Sequence, residues 1–141
     1  MGKNTLYITF DGLSDPLGQS QILPYVCGLA SKGYHINILS CEKTDRLEKE
    51  KEGILKKISE LPIHWQCIMY LEEGSAYSRF LYVQRLQALA KAMIAEKNIC
   101  LIHCRSYIAS LVGLNLKINH NIPFVFDMRG FWADERLDGN I

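Results

Sequence analysis

Apolar residues are laid out along this chain in two alternating rhythms. Thr5 to Phe10 is a short apolar run that stops at Asp11, as a buried strand does. A Gly/Pro/Ser-rich loop follows through about Gln19, and a helical pattern then runs to about Lys32, where Gly33 stands at the position of a C-terminal cap. Tyr34 to Ser40 alternates and predicts a second strand. Lys43 to Glu60 carries Leu47, Ile54, Ile58 and Leu61 on one stripe, an amphipathic helix that Pro62 ends. Ile63 to Met69 predicts a third strand, and a Glu-Glu-Gly-Ser turn leads into a long helix, Tyr77 to Lys97, buried through Phe80, Leu86, Leu89, Ala90, Met93 and Ile94. A fourth strand (Ile99 to His103), a fourth helix (Ser106 to Asn119) and a fifth strand (Pro123 to Asp127) complete the pattern.

Strand and helix thus alternate five times. Parallel neighbours need right-handed helical crossovers, so this order predicts an α/β fold: a Rossmann-like, doubly wound, mostly parallel sheet of about five strands with helices on both faces. The first, fourth and fifth strands show little alternation, which predicts burial on both faces. After Asp127 the pattern stops, because "MRGFWADERLDGNI" completes neither helix nor strand. With 141 residues, 48% hydrophobic and 22% charged, residues 1–141 read as one domain with a sizeable core.

A net charge of +1 gives no general attraction for nucleic acid, so an anionic partner must be met by a local site. No apolar run reaches the roughly 20 residues of a membrane span, and no signal peptide opens the chain. The expectation is a cytoplasmic protein, with peripheral association at the inner face of a membrane as the one membrane role left open. Five cysteines are an odd number, and Cys41, Cys67, Cys100 and Cys104 lie in or beside strand-like runs, which predicts reduced, buried thiols rather than a disulfide framework.

In an open α/β sheet, ligands bind beyond the carboxyl ends of the strands where strand order reverses, here between the first and fourth. The residues at those tips are Asp11 and Gly12, His103 and Arg105, and Asp127 and Arg129. Acid, imidazole and guanidinium groups would converge there on one crevice. Gly18, with Gln19 and Ser20 at a helix start, can turn backbone N–H groups toward an anion or a polar oxygen, with Ser20 as the N-cap.

Other motifs fall short. The loop lacks both the G-x-G-x-x-G dinucleotide fingerprint and a Walker Gly-Lys-Ser/Thr. Glu42, after the second strand, is placed to accept from a ribose hydroxyl, which keeps a stand-alone nucleotide- or dinucleotide-binding domain as an alternative. His103-Cys104 opens an H-C-x5-R phosphatase pattern, but the arginine position holds Ser110. His64 and Cys67 are close in sequence but point to opposite faces of a strand, His120 falls in a loop without partners and His35 reads as a surface strand residue, so no metal is expected. Arg79, Tyr82 and Arg85 are predicted off the core face of the third helix, a solvated face or a partner surface. Phe131 and Trp132 in "FWADERL" suit an interface anchor, the basis of a non-enzymatic alternative.

Three stretches carry a resemblance. "LASKGYHINILS" (Leu29 to Ser40), "CLIHCR" ending at Arg105 and "FVFDMRG" ending at Gly130 together resemble the N-terminal domain of GT-B glycosyltransferases, in particular family 4. The likeness spans nearly the whole chain. It departs where a Gly-Gly pair becomes Leu17-Gly18 and where Arg105 and Arg129 replace histidines.

The resemblance implies transfer of a sugar from a nucleotide-sugar donor to a glycan or lipid-linked acceptor, in polysaccharide or glycolipid assembly. It implies that this domain holds the acceptor, while a C-terminal domain absent from this sequence holds most of the donor. It implies no cofactor or metal, because helix dipoles and basic side chains neutralise the leaving diphosphate. Gly18 would then approach donor phosphate or acceptor by its backbone, His103 and Arg105 would line the acceptor cleft, and Asp127 and Arg129 would orient hydroxyls or oppose diphosphate charge.

Overall fold

The structure, a computed structural model, describes residues 3–70, 75–131, 137 and 139. Its strands are β1 (Asn4–Thr9), β2 (His35–Glu42), β3 (Ile63–Met69), β4 (Leu101–Arg105) and β5 (Phe124–Asp127). They form one sheet in the order β3-β2-β1-β4-β5, and every pairing is parallel. The helices are α1 (Leu23–Ala30), α2 (Thr44–Ile58), α3 (Ala76–Lys97) and α4 (Ser106–His120). The doubly wound Rossmann-like sheet with helices on both faces is therefore the fold of this chain.

Right-handed crossovers decide which face each helix covers. The chain steps outward from β1 through β2 to β3 with α1 and α2 on one face, where Tyr7, Ile36 and Ile38 pack on Ile22, Val26, Ile54 and Ile58. It then returns past β1 through α3 and steps to β5 through α4, so both of these lie on the other face. There Leu6, Ile8, Leu39 and Ile102 meet Leu86, Met93, Val112 and Leu116. Sheet order reverses between β1 and β4, the place where strand tips diverge and leave a crevice.

Several expectations are corrected. β2 is buried almost throughout and runs on to Glu42, whereas β5, expected to be buried, is a partly exposed edge strand. β4 runs to Arg105, which moves His103 two residues inside the strand and leaves Arg105 at its tip. On α3 the buried residues are Tyr82, Leu86, Ala90 and Met93, a stripe at i, i+4, i+8 and i+11. Tyr82, expected off the core, is thus 2% exposed, while Phe80, two residues and some half-turn away, is 57% exposed. Cys41 and Cys104 are buried as expected, Cys67 is half-buried, and Cys100 is exposed; all five cysteines are free. Trp132 lies outside the described residues.

The first helix does not start where Ser20 would cap it. Helical backbone begins at Pro16, passes through a π-helical turn at Gly18–Ile22 and only then becomes α1. Leu23 N–H donates five residues back to the Gly18 carbonyl, and the Ser20 hydroxyl donates back to the Pro16 carbonyl. Pro24 is the physical reason: it has no N–H for the Ser20 carbonyl, and its ring crowds that carbonyl, so the turn before it widens. At the far end Gly33 has φ +89° and its N–H closes on the Ala30 carbonyl at 2.9 Å, the cap its position predicted.

Candidate functional site

Two layers make up the carboxyl edge of the sheet. The lower layer is a buried carboxylate that holds the β1–α1 loop. Glu42, 0% exposed at the tip of β2, accepts from Leu13 N (2.7 Å), Ser14 N (3.1 Å), the Ser14 hydroxyl and the Ser40 hydroxyl (2.6 Å). Ser40 in turn accepts from Trp65 Nε1 at 2.9 Å. With four donors on two oxygens and no exposed surface, Glu42 has nothing left for a ribose. That correction removes the residue on which the dinucleotide alternative rested.

Both loop glycines serve the same layer. A Cβ at position 12 would sit 2.6 Å from Glu42 Oε2, and one at position 18 would sit 2.1 Å from the Gly12 carbonyl oxygen. Gly12 and Gly18 are therefore glycines because backbone meets carboxylate and backbone meets backbone at these points. Gln19 joins them: its amide donates to the Leu13 carbonyl at 3.0 Å and accepts from Lys57 Nζ of α2 at 2.9 Å. The structure keeps Gly12, Gly18 and Gln19 together as the loop's frame and does not bring them to the crevice where the remaining candidates meet.

The upper layer is that crevice. Arg105, 3% exposed at the tip of β4, donates through Nε to Asp11 Oδ2 (3.3 Å) and through Nη2 to Gln21 Oε1 of the π-helical turn (2.7 Å). One strand over, His103 Nε2 lies 3.2 Å from Asp127 Oδ2, and Arg129 Nε lies 3.3 Å from Asp127 Oδ1. Asp127 thus joins an imidazole and a guanidinium. Parallel register accounts for this assembly: Tyr7 lies opposite His103, and Arg105 opposite Asp127, so side chains two apart on each strand share one face.

Tyrosines wall the crevice. The His103 ring lies 4.6 Å from that of Tyr7 at a 33° tilt, and 5.4 Å from that of Tyr25, edge on. The Tyr7 hydroxyl and Arg105 Nη1 are both buried and have no hydrogen-bond partner among the described residues. Burial pushes the Tyr7 phenol up to about 12 against the opposing charge of Arg105, so its proton stays on. His103 and Asp127 keep some access to solvent, with side chains 16% and 23% exposed.

Tyr7, Gln21 and Tyr25 were not singled out from the sequence. Tyr7 sits in mid-strand and reads as core, and Gln21 and Tyr25 face the crevice only because the π-helical turn rotates them. One further signal lies at Ser106, where a non-glycine residue takes φ +68° as β4 turns abruptly into α4. Chemically the crevice offers a fixed cation, an acid shared by two bases and an aromatic wall, a set suited to holding and orienting hydroxyl groups. Among the described residues no three His, Cys, Asp or Glu side chains come together as a metal site needs.

The class defined by this fold is that of Rossmann-like domains with a polar crevice at the β1/β4 switch point. No family model matches the chain, and no curated protein matches it significantly. Solved structures do. The fold is similar to that of LpCGTa in complex with UDP (TM-score 0.57, 15% identity, 89% of this chain and 31% of that one). It is similar also to a glycosyltransferase from Rickettsia africae ESF-5 (TM-score 0.51, 14% identity, 89% of this chain and 29% of that one). The chain spans about a third of the length of each.

Proposed function

We propose that this chain is the N-terminal, acceptor-side domain of a two-domain GT-B glycosyltransferase of the family 4 type, which moves a sugar from a nucleotide-sugar to a glycan or lipid-linked acceptor. The observation that carries the reading is the crevice itself, with Arg105 on Asp11 and His103 on Asp127 at the switch point of this sheet. The fold likeness to two glycosyltransferase chains about three times as long supports it, and UDP in one of them supports a nucleotide-linked donor. The donor's sugar and phosphates would lie mainly on the second domain, facing this crevice.

In this reading the side chains divide the work. Asp127 orients the His103 ring, so that His103 can accept a hydrogen bond or proton from an acceptor hydroxyl as the glycosidic bond forms. Arg129 offers charge to the departing diphosphate. Arg105 holds Asp11 in place to receive a second hydroxyl, while Gly12, Gly18, Gln19 and Glu42 keep the loop that carries Asp11 rigid. No helix among the described residues is long and apolar enough to cross a membrane.

The test is the protein carrying its second domain, obtained by following the gene past the codon for Ile141. His103→Ala should lower turnover by roughly 100-fold or more, as loss of a positioned base does, with circular dichroism unchanged. Unaltered turnover would remove His103 from the site, and absence of any UDP-sugar turnover in the parent would refute the reading.

A further inference from the structure

Glu42 and Arg105 are the two charged side chains buried among the described residues, and they are served unequally. Glu42 is met by four donors. Arg105 donates through Nε to Asp11 and through Nη2 to Gln21, but its Nη1 is buried and meets no acceptor among the described residues. The acid bonded to it compensates its charge only in part, because the Asp11 side chain is 43% exposed and is shared with water. A buried guanidinium with one nitrogen unpaired costs the fold stability, so its third partner is expected from outside the fold.

The Tyr7 hydroxyl is the second buried group without a partner. Tyr7 stands opposite His103 in the β1–β4 register, so Arg105, two residues further along β4, shares its face one step nearer the carboxyl edge. The guanidinium is close enough to oppose the effect of burial on the phenol, which keeps its proton and is a donor too. Two buried donors thus stand together at the switch point, and no acceptor serves either among the described residues. Gln21 bears on the same group: it is exposed, it sits on the π-helical turn, and its neutral amide oxygen holds Nη2, the nitrogen beside Nη1. Exchanging that amide for a carboxylate would give the guanidinium a forked partner, with one oxygen on Nη2, the other on Nη1 and the Tyr7 hydroxyl, and Nε still on Asp11. A neutral hydroxyl would pair one donor and leave the charge as it is. Tyr25, exposed and edge-on to His103, offers an aromatic face for the body of a sugar ring.

We infer that the crevice selects an acidic acceptor: a sugar whose carboxylate displaces the Gln21 amide and is held by Nη1 and Nη2 of Arg105 and by the Tyr7 hydroxyl, with its ring against Tyr25. This rests on the transferase reading for the word acceptor, and on the two unpaired donors for the carboxylate.

The experiment titrates the 141-residue chain, its tyrosine and arginine side chains followed by NMR, with the methyl glycosides of glucuronate, galacturonate and mannuronate, with those of glucose, galactose and mannose, and with inorganic phosphate and UDP. At least one uronide should bind, shift the Tyr7 and Arg105 signals, and do so at least about ten-fold more tightly than its neutral counterpart, phosphate or UDP. Tyr7→Phe should weaken that uronide by about ten-fold without lowering the urea midpoint, because the hydroxyl it removes serves the ligand and not the fold. Arg105→Lys, which keeps the charge and loses the fork, should weaken it by at least as much. Gln21→Ala should tighten it, by removing the competitor for Nη2. Uronides binding no better than neutral sugars, or a uronide indifferent to Tyr7→Phe, would overturn the inference. So would a Tyr7→Phe protein that is less stable yet binds as the parent does, since a buried water would then tie the hydroxyl into the fold. Phosphate or UDP binding more tightly than every uronide would overturn it too, by assigning the guanidinium to the donor's diphosphate. A two-domain protein that glycosylates neutral sugars while this chain ignores every uronide would defeat the acidic acceptor and spare the transferase reading. Uronide binding as expected, without any sugar transfer by the two-domain protein, would do the reverse.

Discussion

Replacing Glu42 by Gln tests the frame on which the crevice stands. The substitution keeps size and shape but swaps one acceptor oxygen for an NH2 group, in a site where Leu13 N–H, Ser14 N–H and the hydroxyls of Ser14 and Ser40 all point at the carboxylate. At least one buried donor must then face another donor. A hydrogen bond to a charged group contributes about 1.5–3 kcal/mol, and a buried donor left unsatisfied costs about 1–3 kcal/mol. Because the four bonds share one group, their losses do not add, and we expect a net destabilisation of about 2–4 kcal/mol. At a urea slope of about 2 kcal/mol/M for a chain of this size, the unfolding midpoint should fall by about 1–2 M. The loop should loosen with it, so amide exchange at Leu13 and Ser14 should speed up well before the core strands are affected. A midpoint within about 0.3 M of the parent, where ordinary surface substitutions fall, would refute the carboxylate's role. Heat on titrating the parent with millimolar NAD, abolished in the variant, would go further and restore the ribose reading.

Gly18→Ala should cost about 1–3 kcal/mol by overpacking, since the new methyl would lie 2.1 Å from the Gly12 carbonyl oxygen; an unchanged urea midpoint would show that the loop has room there. Stability should fall as pH rises from about 9 to about 12. Burial raises the Cys41 and Cys104 thiols from 9.0 to about 12 and the Tyr7 phenol from 10.0 to about 12, so over this interval the unfolded chain releases protons that the fold retains. Each group's contribution to stability is present in full below its unfolded value and is lost, at up to about 1.4 kcal/mol per pH unit, as pH rises from there through the folded value. Cys41→Ala with Cys104→Ala should flatten the lower part of that decline in urea melts, and an identical slope in the double variant would contradict it. A disulfide reagent at pH 8 should modify Cys100 first, because it alone is exposed, and Cys41 and Cys104 only as the protein unfolds. A fast phase surviving in Cys100→Ser would count against this exposure pattern.

Much of the fold was legible in the chain because hydrophobic period is a local property. Alternation of strand and helix sufficed for a parallel, doubly wound sheet, for its reversal between β1 and β4, and for the tips that bear Asp11, Arg105, Asp127 and Arg129. Gly33 could be read because a left-handed cap is decided by its own backbone.

What only tertiary structure decided are relations between distant positions. Glu42 looks like a free acid at a strand tip until Leu13 and Ser14, 29 and 28 positions away, close on it beside Ser40. The need for glycine at position 18 is invisible until Gly12 is seen to fill the space beside it. Tyr82 and Phe80 exchange burial because the rotation of α3 is set by the sheet beneath it, a phase that a continuous aromatic run leaves open. Tyr7 reads as core, yet parallel pairing of β1 with β4 sets it against His103, 96 residues on. Periodicity reports which residues leave water, whereas the identity of each one's neighbour depends on register and helix phase, and these are settled only when the whole sheet closes.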